Sequence, residues 1–237
     1  MMNFTYRSSI LELMDDPNLE ADKYRQAYLD INRCNKWLGG NKITIKALKI
    51  LLKSRAQKSY TILDMGCGDG EMLRQVAQAF KKKPVKLNLI GVDLKDDILD
   101  LAREKSVDYP AIQFKNQNIL ALTETSGCDV LLCTLTMHHF TDEQIKIFLT
   151  KFSKVARIGV VINDLQRSKL AYALFKLFSI FFIRSHTAKY DGLVSITKGF
   201  LKNELWAYAK NISTMQHSIQ WKWAFRYVWV MQTKRPI

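Results

Sequence analysis

The sequence predicts an α/β fold in which helices cover both faces of a mostly parallel sheet. Between residues 60 and 162, five short apolar runs alternate with segments of helical periodicity. A glycine-rich bend follows the first run, at the junction of a predicted strand and a predicted helix. Strands that alternate with helices form βαβ units, whose crossovers place the helices on the sheet faces. At 237 residues and 27.5 kDa, the chain fits one such domain with a small appended cap.

The amino-terminal part predicts two helices. The first starts near residue 11 and presents an apolar face at spacings of three and four, formed by Tyr24, Ala27, Tyr28 and Ile31. Gly39-Gly40 ends this helix, because glycine adopts the left-handed conformation that terminates helices. Asn41 is predicted to cap a second helix that runs through about residue 53.

The central part predicts five strands with intervening helices. The strands are expected at residues 60–65, 87–93, 111–114, 128–133 and 155–162. The helices are expected from the glycine-rich bend through Phe80, at 97–105 and at 142–152. Each apolar run is shorter than an ordinary helix and is typical of a strand that is buried on both faces.

The alternation of strands and helices stops after Asp164. Residues 169–183 predict an apolar helix with a thin polar stripe, and another helix is expected near 199–210. Apolar residues of one parity follow: Ile219, Trp221, Trp223, Phe225, Tyr227 and Trp229. This period of two predicts an antiparallel strand pair that turns near residues 223–225. The shared parity predicts that the aromatic side chains are buried in the sheet core.

The net charge of +14 is concentrated in the last third of the chain. Residues 166–237 contain 12 basic and 2 acidic side chains, whereas residues 61–165 contain 13 and 14. This asymmetry indicates an anionic partner, either nucleic acid or a membrane surface. The simpler alternative is a solvated basic face that has no partner.

Cysteine spacing and the distribution of apolar residues bear on location. The four cysteines show neither C-x-x-C nor zinc-type spacing, so we expect free thiols in a reducing compartment and no metal site. The amino-terminal stretch carries acids where a signal peptide needs an apolar run. The apolar run at 170–183 is interrupted by Lys176 and is too short to span a bilayer. These features predict a cytoplasmic protein.

The most specific motif is the segment Asp64-Met-Gly-Cys-Gly-Asp-Gly. Its three glycines allow a tight backbone turn and the close approach of a ligand at the carboxyl end of a strand. A dinucleotide-binding loop has the spacing G-x-G-x-x-G, whereas this loop has G-x-G-x-G. Asp64, Asp69 and Glu71 would repel a pyrophosphate, but they suit a cationic sulfonium and its ammonium group. Charge therefore favours an adenosyl sulfonium over a dinucleotide.

Asp93 ends the next predicted strand, 23 positions after Gly70. A carboxylate at this place in a nucleotide-binding fold accepts hydrogen bonds from both ribose hydroxyls. An isolated aspartate at a strand end is more commonly a turn or helix cap. Its pairing with the glycine-rich bend favours the binding role here.

The bend, Asp93, residues 117–120 and residues 128–140 together resemble the class I S-adenosylmethionine (SAM)-dependent methyltransferases, over roughly residues 60–165. The resemblance implies a Rossmann-like three-layer sandwich with seven strands, of which the last is antiparallel, plus a helical cap. It implies SAM as cofactor and S-adenosylhomocysteine (SAH) as product. The implied cofactor-binding residues are Asp64, Gly66, Cys67, Gly68, Gly70, Asp93, Leu94, Asn118, Ile119 and Thr134. Asn118 stands where family members often have an aspartate, and its carbonyl can still accept a hydrogen bond from the adenine amine.

The segment after the fourth strand, Thr134-Leu-Thr-Met-His-His-Phe, narrows the acceptor class. Family members that act on exocyclic base amines carry a proline-containing turn at this place, and this chain has none. The segment is instead similar to the ubiquinone/menaquinone-type enzymes, and the amino-terminal part is similar to methyltransferases of secondary metabolism. His138 and His139 are candidate general bases, since imidazole titrates near neutral pH. Alternatively, one histidine packs in the core and the other caps the next helix.

The resemblance divides the chain into four parts. Residues 1–58 form a helical cap segment, 59–165 the SAM-binding core, 166–200 a lid or substrate insertion, and 201–237 a helix with the strands that complete the sheet. Arg33 and His186 are candidate substrate contacts, and His186 and Asp191 are further candidates for the catalytic base. We expect a small lipophilic or aromatic acceptor that is methylated on oxygen. The apolar helix is a candidate for peripheral contact with an anionic membrane. The alternatives are an RNA or protein methyltransferase that uses the basic carboxyl-terminal third, and a SAM-binding domain without catalysis.

Overall fold

A computed structural model describes residues 3–16, 18–123 and 127–234 and shows one seven-stranded sheet. The strands are β1 (Ser59–Met65), β2 (Lys86–Asp93), β3 (Ile112–Asn116), β4 (Cys128–Thr134), β5 (Ala156–Leu165), β6 (Met215–Lys222) and β7 (Arg226–Thr233). Their order across the sheet is β3-β2-β1-β4-β5-β7-β6. Only β7 runs antiparallel to the others, since it pairs antiparallel with both β5 and β6. The predicted α/β class and its seven-stranded Rossmann-like sheet are confirmed.

Eight α-helices accompany the sheet in the described residues. They are α1 (Ala21–Trp37), α2 (Gly40–Ser54), α3 (Glu71–Phe80), α4 (Asp96–Lys105), α5 (Asp142–Val155), α6 (Lys169–Phe182), α7 (His186–Lys198) and α8 (Lys202–Lys210). Three short 3-10 turns lie at Leu13–Asp15, Ile119–Ala121 and Met137–His139. The described helices include none long and apolar enough to cross a bilayer.

The core forms on both faces of the sheet. On one face, Phe148 and Phe152 of α5 pack against Trp229 of β7. On the other face, Leu48 of α2 and Leu73 of α3 pack against the central strands. Strands β4 and β5 contribute to both clusters, which explains their nearly continuous apolar sequences.

The chain direction across the sheet reverses between β1 and β4. From β1 the chain proceeds outward to β2 and β3, and then returns to pair β4 with the other edge of β1. The connections that follow β1 and β4 therefore leave the sheet on opposite faces and open a crevice at the carboxyl ends of the strands. Ligands of open α/β sheets bind at such a switch point.

Three helical predictions need correction. Helix α1 begins at Ala21 and not near residue 11, because residues 13–15 form only a 3-10 turn. Asn41 does not cap α2: the cap position is Gly39, in the left-handed conformation with φ 72°, and the helix already begins at Gly40. Helix α7 was not predicted. Its apolar and polar residues do not separate onto two faces, since both Val194 and Thr197 are buried.

The aromatic carboxyl-terminal hairpin is confirmed as a strand pair, but its predicted burial is only partly correct. Tyr227 and Trp229 are buried, whereas Trp221 is 47% and Trp223 is 61% exposed. The strand parity is correct, because Trp221 lies opposite Tyr227 and Ile219 opposite Trp229. The sheet core ends before the turn, so the same face passes from the protein interior to solvent along one strand.

All four cysteines are free, as predicted. Cys67, Cys128 and Cys133 are buried, and Cys34 is partly buried. Burial raises the pKa of each of these thiols, to about 12 for Cys128. The thiols therefore behave as small apolar side chains.

Candidate active site

A cavity of about 640 Å³ lies at the carboxyl ends of the central strands. One part is lined by the glycine-rich bend and by Asp93 at the end of β2. The other part is lined by α1, α6 and the turn of the β6–β7 hairpin. The segment after β4, which carries His138, lies in the wall shared by both parts. The topology thus joins a nucleotide-type site to a largely apolar chamber.

The bend requires glycine at Gly66 and Gly68 for two reasons. Both residues have a positive φ, of 71° and 53°, which residues other than glycine adopt rarely. A Cβ atom on Gly66 would lie 2.3 Å from Thr136 Cγ2, and one on Gly68 would lie 2.9 Å from the ring of Tyr28. The bend is held on the sheet by hydrogen bonds from the Gly66 and Cys67 amides to the carbonyl of Val92. The glycines therefore create a cradle that side chains would fill.

Asp64 is the main electrostatic feature of the bend. It is buried and lines the cavity, and no described residue donates a hydrogen bond to its Oδ1 atom. Burial and the nearby charge of Asp93 raise the pKa of Asp64 from 3.8 to about 8. A buried, unsatisfied carboxylate is costly, and a cation bound in the cavity offsets this cost.

Asp93 is held by backbone amides. Its Oδ2 accepts a hydrogen bond from the Gly68 amide at 3.0 Å, and its Oδ1 accepts one from the Leu94 amide at 2.8 Å. Oδ1 accepts a second, longer hydrogen bond from the Lys95 amide at 3.4 Å, and Oδ2 retains a lone pair for a further donor. The side chain thus links the bend to the end of β2 and faces the cavity with acceptor capacity only.

The other acids of the bend are already neutralised within the protein. Asp69 Oδ2 lies 2.8 Å from Lys105 Nζ and accepts a hydrogen bond from the side-chain amide of Asn32 at 2.7 Å. Glu71 pairs with Arg74 at 2.8 Å. Asp69 and Glu71 line the cavity, but each pairs with a cation of the protein, whereas Asp64 and Asp93 form no ion pair within the described residues.

The remaining cofactor-binding candidates divide into two groups. Cys67, Leu94, Ile119 and Thr134 line the cavity, and Leu94 is 54% exposed at its rim. Gly70 and Asn118 are not among the lining residues. The Asn118 carbonyl oxygen accepts a hydrogen bond from the Leu120 amide at 2.8 Å and so caps the 3-10 turn. A cofactor role for these residues stays a prediction.

Tyr28 also lines the nucleotide-type part, although it was predicted only as a helix-face residue. Its ring lies over Gly68 on the cavity side. Burial and the charges of Asp93 and Asp69 raise the pKa of Tyr28 well above its usual value. The phenol therefore stays protonated and can act as a hydrogen-bond donor in the site.

His138 is oriented by Asp164, the penultimate residue of β5. The Nδ1 atom of His138 lies 2.7 Å from Asp164 Oδ1, and Asp164 Oδ2 accepts a hydrogen bond from the His138 amide at 3.2 Å. Burial opposes ionisation of Asp164, but the charge of His138 and this hydrogen bond outweigh it and lower the pKa of Asp164. When His138 is neutral, the ionised Asp164 accepts the Nδ1 proton, which leaves the lone pair of the imidazole on Nε2, 3.7 Å from Glu12 Oε1. No described residue hydrogen-bonds to that Nε2 atom.

His139 belongs to a second cluster, with Glu12, Asp15 and Lys198. The His139 Nδ1 atom lies 3.7 Å from Asp15 and 3.8 Å from Glu12. Burial opposes charging of His139, but the contacts with Asp15 and Glu12 outweigh it and raise its pKa. The charges of His139 and Lys198 overcome the opposing effect of burial on Asp15 and lower its pKa to about 2. His139 thus takes part in charge balance, and it does not cap α5, which is capped by Thr141.

Ligand-type atoms of Glu12, His138 and His139 lie within 4.8 Å of one another. The amino-acid spacing did not predict this cluster, because Glu12 is remote from the histidines in sequence. A positive charge is already present beside it, since Lys198 Nζ lies 3.3 Å from Glu12 Oε1. The cluster therefore forms an ion-pair network in which Lys198 supplies a positive charge.

The amino-terminal segment closes the cavity. Arg7 donates hydrogen bonds to the carbonyls of His138 and Phe140, at 2.9 and 2.8 Å. Asp191 of α7 accepts hydrogen bonds from the amides of Leu13 and Met14, at 2.6 and 3.0 Å. Burial raises the pKa of Asp191 to about 6. The sequence did not predict these contacts, which hold the amino-terminal segment against α7 and against the segment after β4.

Two predicted substrate contacts lie off the cavity wall. Arg33 points away from the lining residues of α1 and pairs with Asp30 at 3.2 Å. His186 is exposed and stacks on Tyr190, with ring centroids 6.5 Å apart. The sequence did not predict that Asn35, Asn41 and Arg226 line the cavity. Polar residues on amphipathic elements carry no signal of which cavity they face.

The fold and this site together define a class I SAM-dependent methyltransferase domain. Residues 62–159, about two fifths of the chain, match the family described as "Methyltransferase domain". The matched residues include the glycine-rich bend, Asp93 and β4, from which the sequence motifs predicted this similarity.

Relatives and solved structures extend the comparison. The chain is 28% identical over 142 residues to a ubiquinone biosynthesis O-methyltransferase of Hydrogenovibrio crunogenus, covering 56% of this chain and 54% of that protein. It is 26% identical over 172 residues to the ubiquinone/menaquinone biosynthesis C-methyltransferase UbiE of Campylobacter jejuni, covering 67% and 72%. The chain therefore spans about half the length of the first of these relatives. The plantazolicin methyltransferase BpumL, solved in complex with SAH, has the same fold, with a TM-score of 0.67, 15% identity and coverage of 93% and 92%.

The two reasons for glycine at position 66 can be separated by experiment. Gly39 has nearly the same positive φ, of 72°, but no atom lies within 4 Å of a Cβ placed there. Both Gly66→Ala and Gly39→Ala carry the left-handed penalty of about 1–2 kcal/mol, and only Gly66→Ala also clashes with Thr136. We expect Gly66→Ala to lower the free energy of unfolding by about 1–3 kcal/mol more than Gly39→Ala, measured by urea denaturation. Equal losses would show that the contact with Thr136 relaxes freely.

Proposed function

We propose that this protein transfers the methyl group of SAM to an oxygen atom of a small lipophilic or aromatic acceptor. One observation carries the proposal. The Nε2 atom of His138, which is oriented by Asp164, has no hydrogen-bond partner among the described residues and lies 3.7 Å from Glu12 Oε1, in the wall of a cavity that joins the glycine-rich bend to a largely apolar chamber. A buried carboxylate–imidazole pair of this kind is the arrangement expected of a general base.

The residues of the glycine-rich part fit the cofactor. The unsatisfied carboxylate of Asp64 suits the ammonium of the methionine portion, and the acceptor atoms of Asp93 suit ribose hydroxyls. Gly66 and Gly68 leave the bend open to a ligand at backbone distance. When bound, SAM supplies an electrophilic methyl group on a positively charged sulfur.

His138 prepares the acceptor. The ionised Asp164 keeps the proton of His138 on Nδ1, so that Nε2 can accept the proton of an acceptor hydroxyl. The oxygen then bears a full lone pair and negative charge. The positive charge that develops on His138 is stabilised by Asp164, as in other carboxylate–imidazole pairs. Positioning of the two reactants in one cavity supplies a further part of the acceleration.

The acceptor chamber favours an apolar or aromatic molecule. Its wall includes Leu38, which directly follows α1, Phe175 and Phe178 of α6, and Phe225 of the hairpin turn. Relatives with the names given above belong to ubiquinone and menaquinone biosynthesis, and both an O- and a C-methyltransferase are among them. The proton acceptor at His138 favours oxygen, because a hydroxyl must lose its proton on methylation.

Two measurements test the proposal, the first for the cofactor site and the second for the methyl acceptor. Calorimetry with SAH on wild type and Asp93→Ala should show a loss of about 2–4 kcal/mol, because two charge-assisted hydrogen bonds to ribose are removed. Label from methyl-labelled SAM should then appear in a phenolic member of a small-molecule library and not in its O-blocked analogue. Unchanged SAH binding in Asp93→Ala contradicts the cofactor site, and label in carbon or nitrogen positions alone contradicts the choice of oxygen.

RNA or protein is the alternative acceptor, and the basic carboxyl-terminal third of the chain is the feature that favours it. Burial of all the hairpin aromatics would speak against nucleic-acid binding, but Trp221 and Trp223 are exposed. Trp223 nevertheless lines the small-molecule chamber. Label transfer from SAM into bulk RNA, with salt-sensitive retention on polyanions, would favour the alternative.

Helix α6 supports a peripheral contact with an anionic membrane. Leu170, Leu177 and Phe181 share one helical face and are 59%, 57% and 73% exposed. Residues 168–190 contain the basic side chains Lys169, Lys176, Arg184 and Lys189 and no acidic one, whereas the neighbouring Arg167 is buried and pairs with Glu204. An apolar face flanked only by cations is typical of helices that lie on anionic lipid. The inner face of the same helix lines the acceptor chamber, so this contact would bring a lipophilic acceptor to the cavity.

Vesicle sedimentation tests the membrane contact. We expect binding to phosphatidylcholine vesicles that contain phosphatidylglycerol, and little binding to phosphatidylcholine alone. Leu177→Ser/Phe181→Ser should reduce binding about tenfold or more. Ile50→Ser/Ile147→Ser, which removes exposed apolar side chains from α2 and α5, should not. Equal binding to both vesicle types, or equal loss in both variants, would contradict the assignment.

A further inference from the structure

Arg226 is a buried cation with little compensation. It is the first residue of β7, is 4% exposed and lines the cavity. Its Nη2 atom donates a hydrogen bond to Asn35 Oδ1 at 2.7 Å. Its Nε and Nη1 atoms meet no hydrogen-bond acceptor among the described residues. A guanidinium has five donors in a planar fork, so most of the donor capacity of Arg226 is unused.

No carboxylate within the described residues forms an ion pair with Arg226, although the charge of Asp164 acts on it from a greater distance. Asp164, on the neighbouring strand, uses its oxygens for His138 and for the Leu165 amide. Described residues form no ion pair with Arg226, although Arg7, Arg74 and Arg167 all pair with acids. Withdrawing an unpaired charge from water is among the most costly events in folding. Such a residue persists where a ligand supplies the missing charge.

The fold makes room for this guanidinium. A Cβ atom on Gly40 would lie 2.9 Å from Arg226 Cζ, so the first residue of α2 lets the guanidinium lie directly against the backbone. The adjoining cavity wall is formed by Asn35 and Asn41, which are polar, and by Leu38 and Phe225, which are apolar. A molecule in this part of the chamber would meet a cation and amide groups at one end and hydrocarbon along its body.

We propose that Arg226, with Asn35, binds a carboxylate or an equally acidic oxygen of the molecule that occupies the apolar chamber. The ligand class is therefore a lipophilic or aromatic acid, held by the fork of the guanidinium. That this ligand is also the methyl acceptor rests on the proposed function. The anion site itself does not, since it is derived from Arg226 and its surroundings alone.

Three aromatic probes test the site on the full chain saturated with SAH. Benzoate carries the carboxylate alone, 4-hydroxybenzoate carries both carboxylate and phenol, and 4-hydroxybenzamide carries the phenol without the charge. Ligand-observed NMR titration should show that both carboxylates bind the wild type about tenfold or more tightly than the amide. Arg226→Gln should remove this preference. Arg33→Gln, which deletes a guanidinium of α1 outside the cavity wall, should retain it.

A second variant keeps the proposal testable if Arg226→Gln folds poorly. Arg226→Met has a similar volume without charge, and we expect it to denature at the same or a higher temperature than the wild type without ligand, because an unpaired buried charge is removed. Benzoate should raise the denaturation temperature of the wild type and leave that of Arg226→Met unchanged. Strong destabilisation of Arg226→Met with benzoate binding intact would make Arg226 structural and overturn the proposal. So would equal binding of benzoate and 4-hydroxybenzamide. Carboxylate binding without any methyl transfer would instead contradict the proposed function and leave the anion site in place.

Discussion

His138→Asn should lower the rate constant of methyl transfer to a phenolic acceptor by a factor of about 10²–10⁴, with little change in the affinity for SAH. The reason is the geometry of the pair with Asp164. Asparagine can still donate a hydrogen bond to Asp164, as the Nδ1 atom of His138 does at 2.7 Å, but it has no basic nitrogen in place of Nε2. The fold and the cofactor site are thus retained while the proton acceptor is lost.

The pH dependence distinguishes a base from a merely structural histidine. Above the pKa of the phenol, roughly 10, the acceptor is already ionised and needs no base. The defect of His138→Asn should therefore shrink as the pH approaches that value, whereas a packing defect would not depend on the acceptor's ionisation. His186→Asn makes the same chemical change at an exposed position off the cavity wall and should leave the rate unchanged. A His138→Asn rate within about twofold of wild type would remove the general-base role.

The second large effect is expected for Asp64→Asn, which should weaken cofactor binding about 10- to 100-fold and stabilise the ligand-free protein at alkaline pH. Affinity falls because the variant lacks the carboxylate that offsets the ammonium of the cofactor. Stability rises because the pKa of Asp64 is raised from 3.8 to about 8 by burial and by Asp93. Calorimetry with SAH and thermal denaturation at several pH values measure the two effects.

The sign of the pH effect follows from the protons bound in each state. Below pH 3.8 the carboxyl is protonated in both the folded and the unfolded chain, and its contribution to stability is fully present. As the pH rises from 3.8 to about 8, the unfolded chain has released the proton and the folded chain still holds it, so this stability is progressively lost. Asp64→Asn escapes that loss, and its advantage over the wild type should grow across this range and level off above pH 8.

The same raised pKa couples cofactor binding to proton release. At pH 7 the free Asp64 is largely protonated, and the cationic cofactor favours its ionised form. SAM affinity should therefore rise with pH up to about 8 and then become constant. Asp129→Asn is the matched control, because Asp129 is buried but bonded to Thr61 and Arg157 at the opposite end of the strands. That variant should lose stability and keep its SAM affinity. A pH-independent affinity in the wild type would contradict a protonated Asp64.

Most of the sheet was predictable because its signals are local. A run such as residues 128–133 is apolar throughout since β4 is buried on both faces, and the glycines at 66 and 68 mark a bend that only glycine allows. Asp93 follows from its place at the end of a strand. Helix α7 was missed because it is enclosed by its neighbours, so its burial leaves no amphipathic period. Trp221 and Trp223 were misjudged because parity sets the face of a strand but not where the core ends.

By itself, the sequence determined the α/β class and the glycine-rich cradle for an adenosyl sulfonium, whereas its exclusion of a base-amine acceptor stays a prediction. The tertiary structure decided which charges remain for ligands: Lys105 and Arg74 neutralise Asp69 and Glu71, whereas Asp64 and Arg226 stay unpaired in the cavity wall. It also brought Asp164 of β5 to His138 and Glu12 of the amino-terminal segment to His139. The physical reason is that pairing of charges and loss of solvent depend on distances between residues far apart in the chain, and hydrophobic periodicity reports only which face of an element is buried.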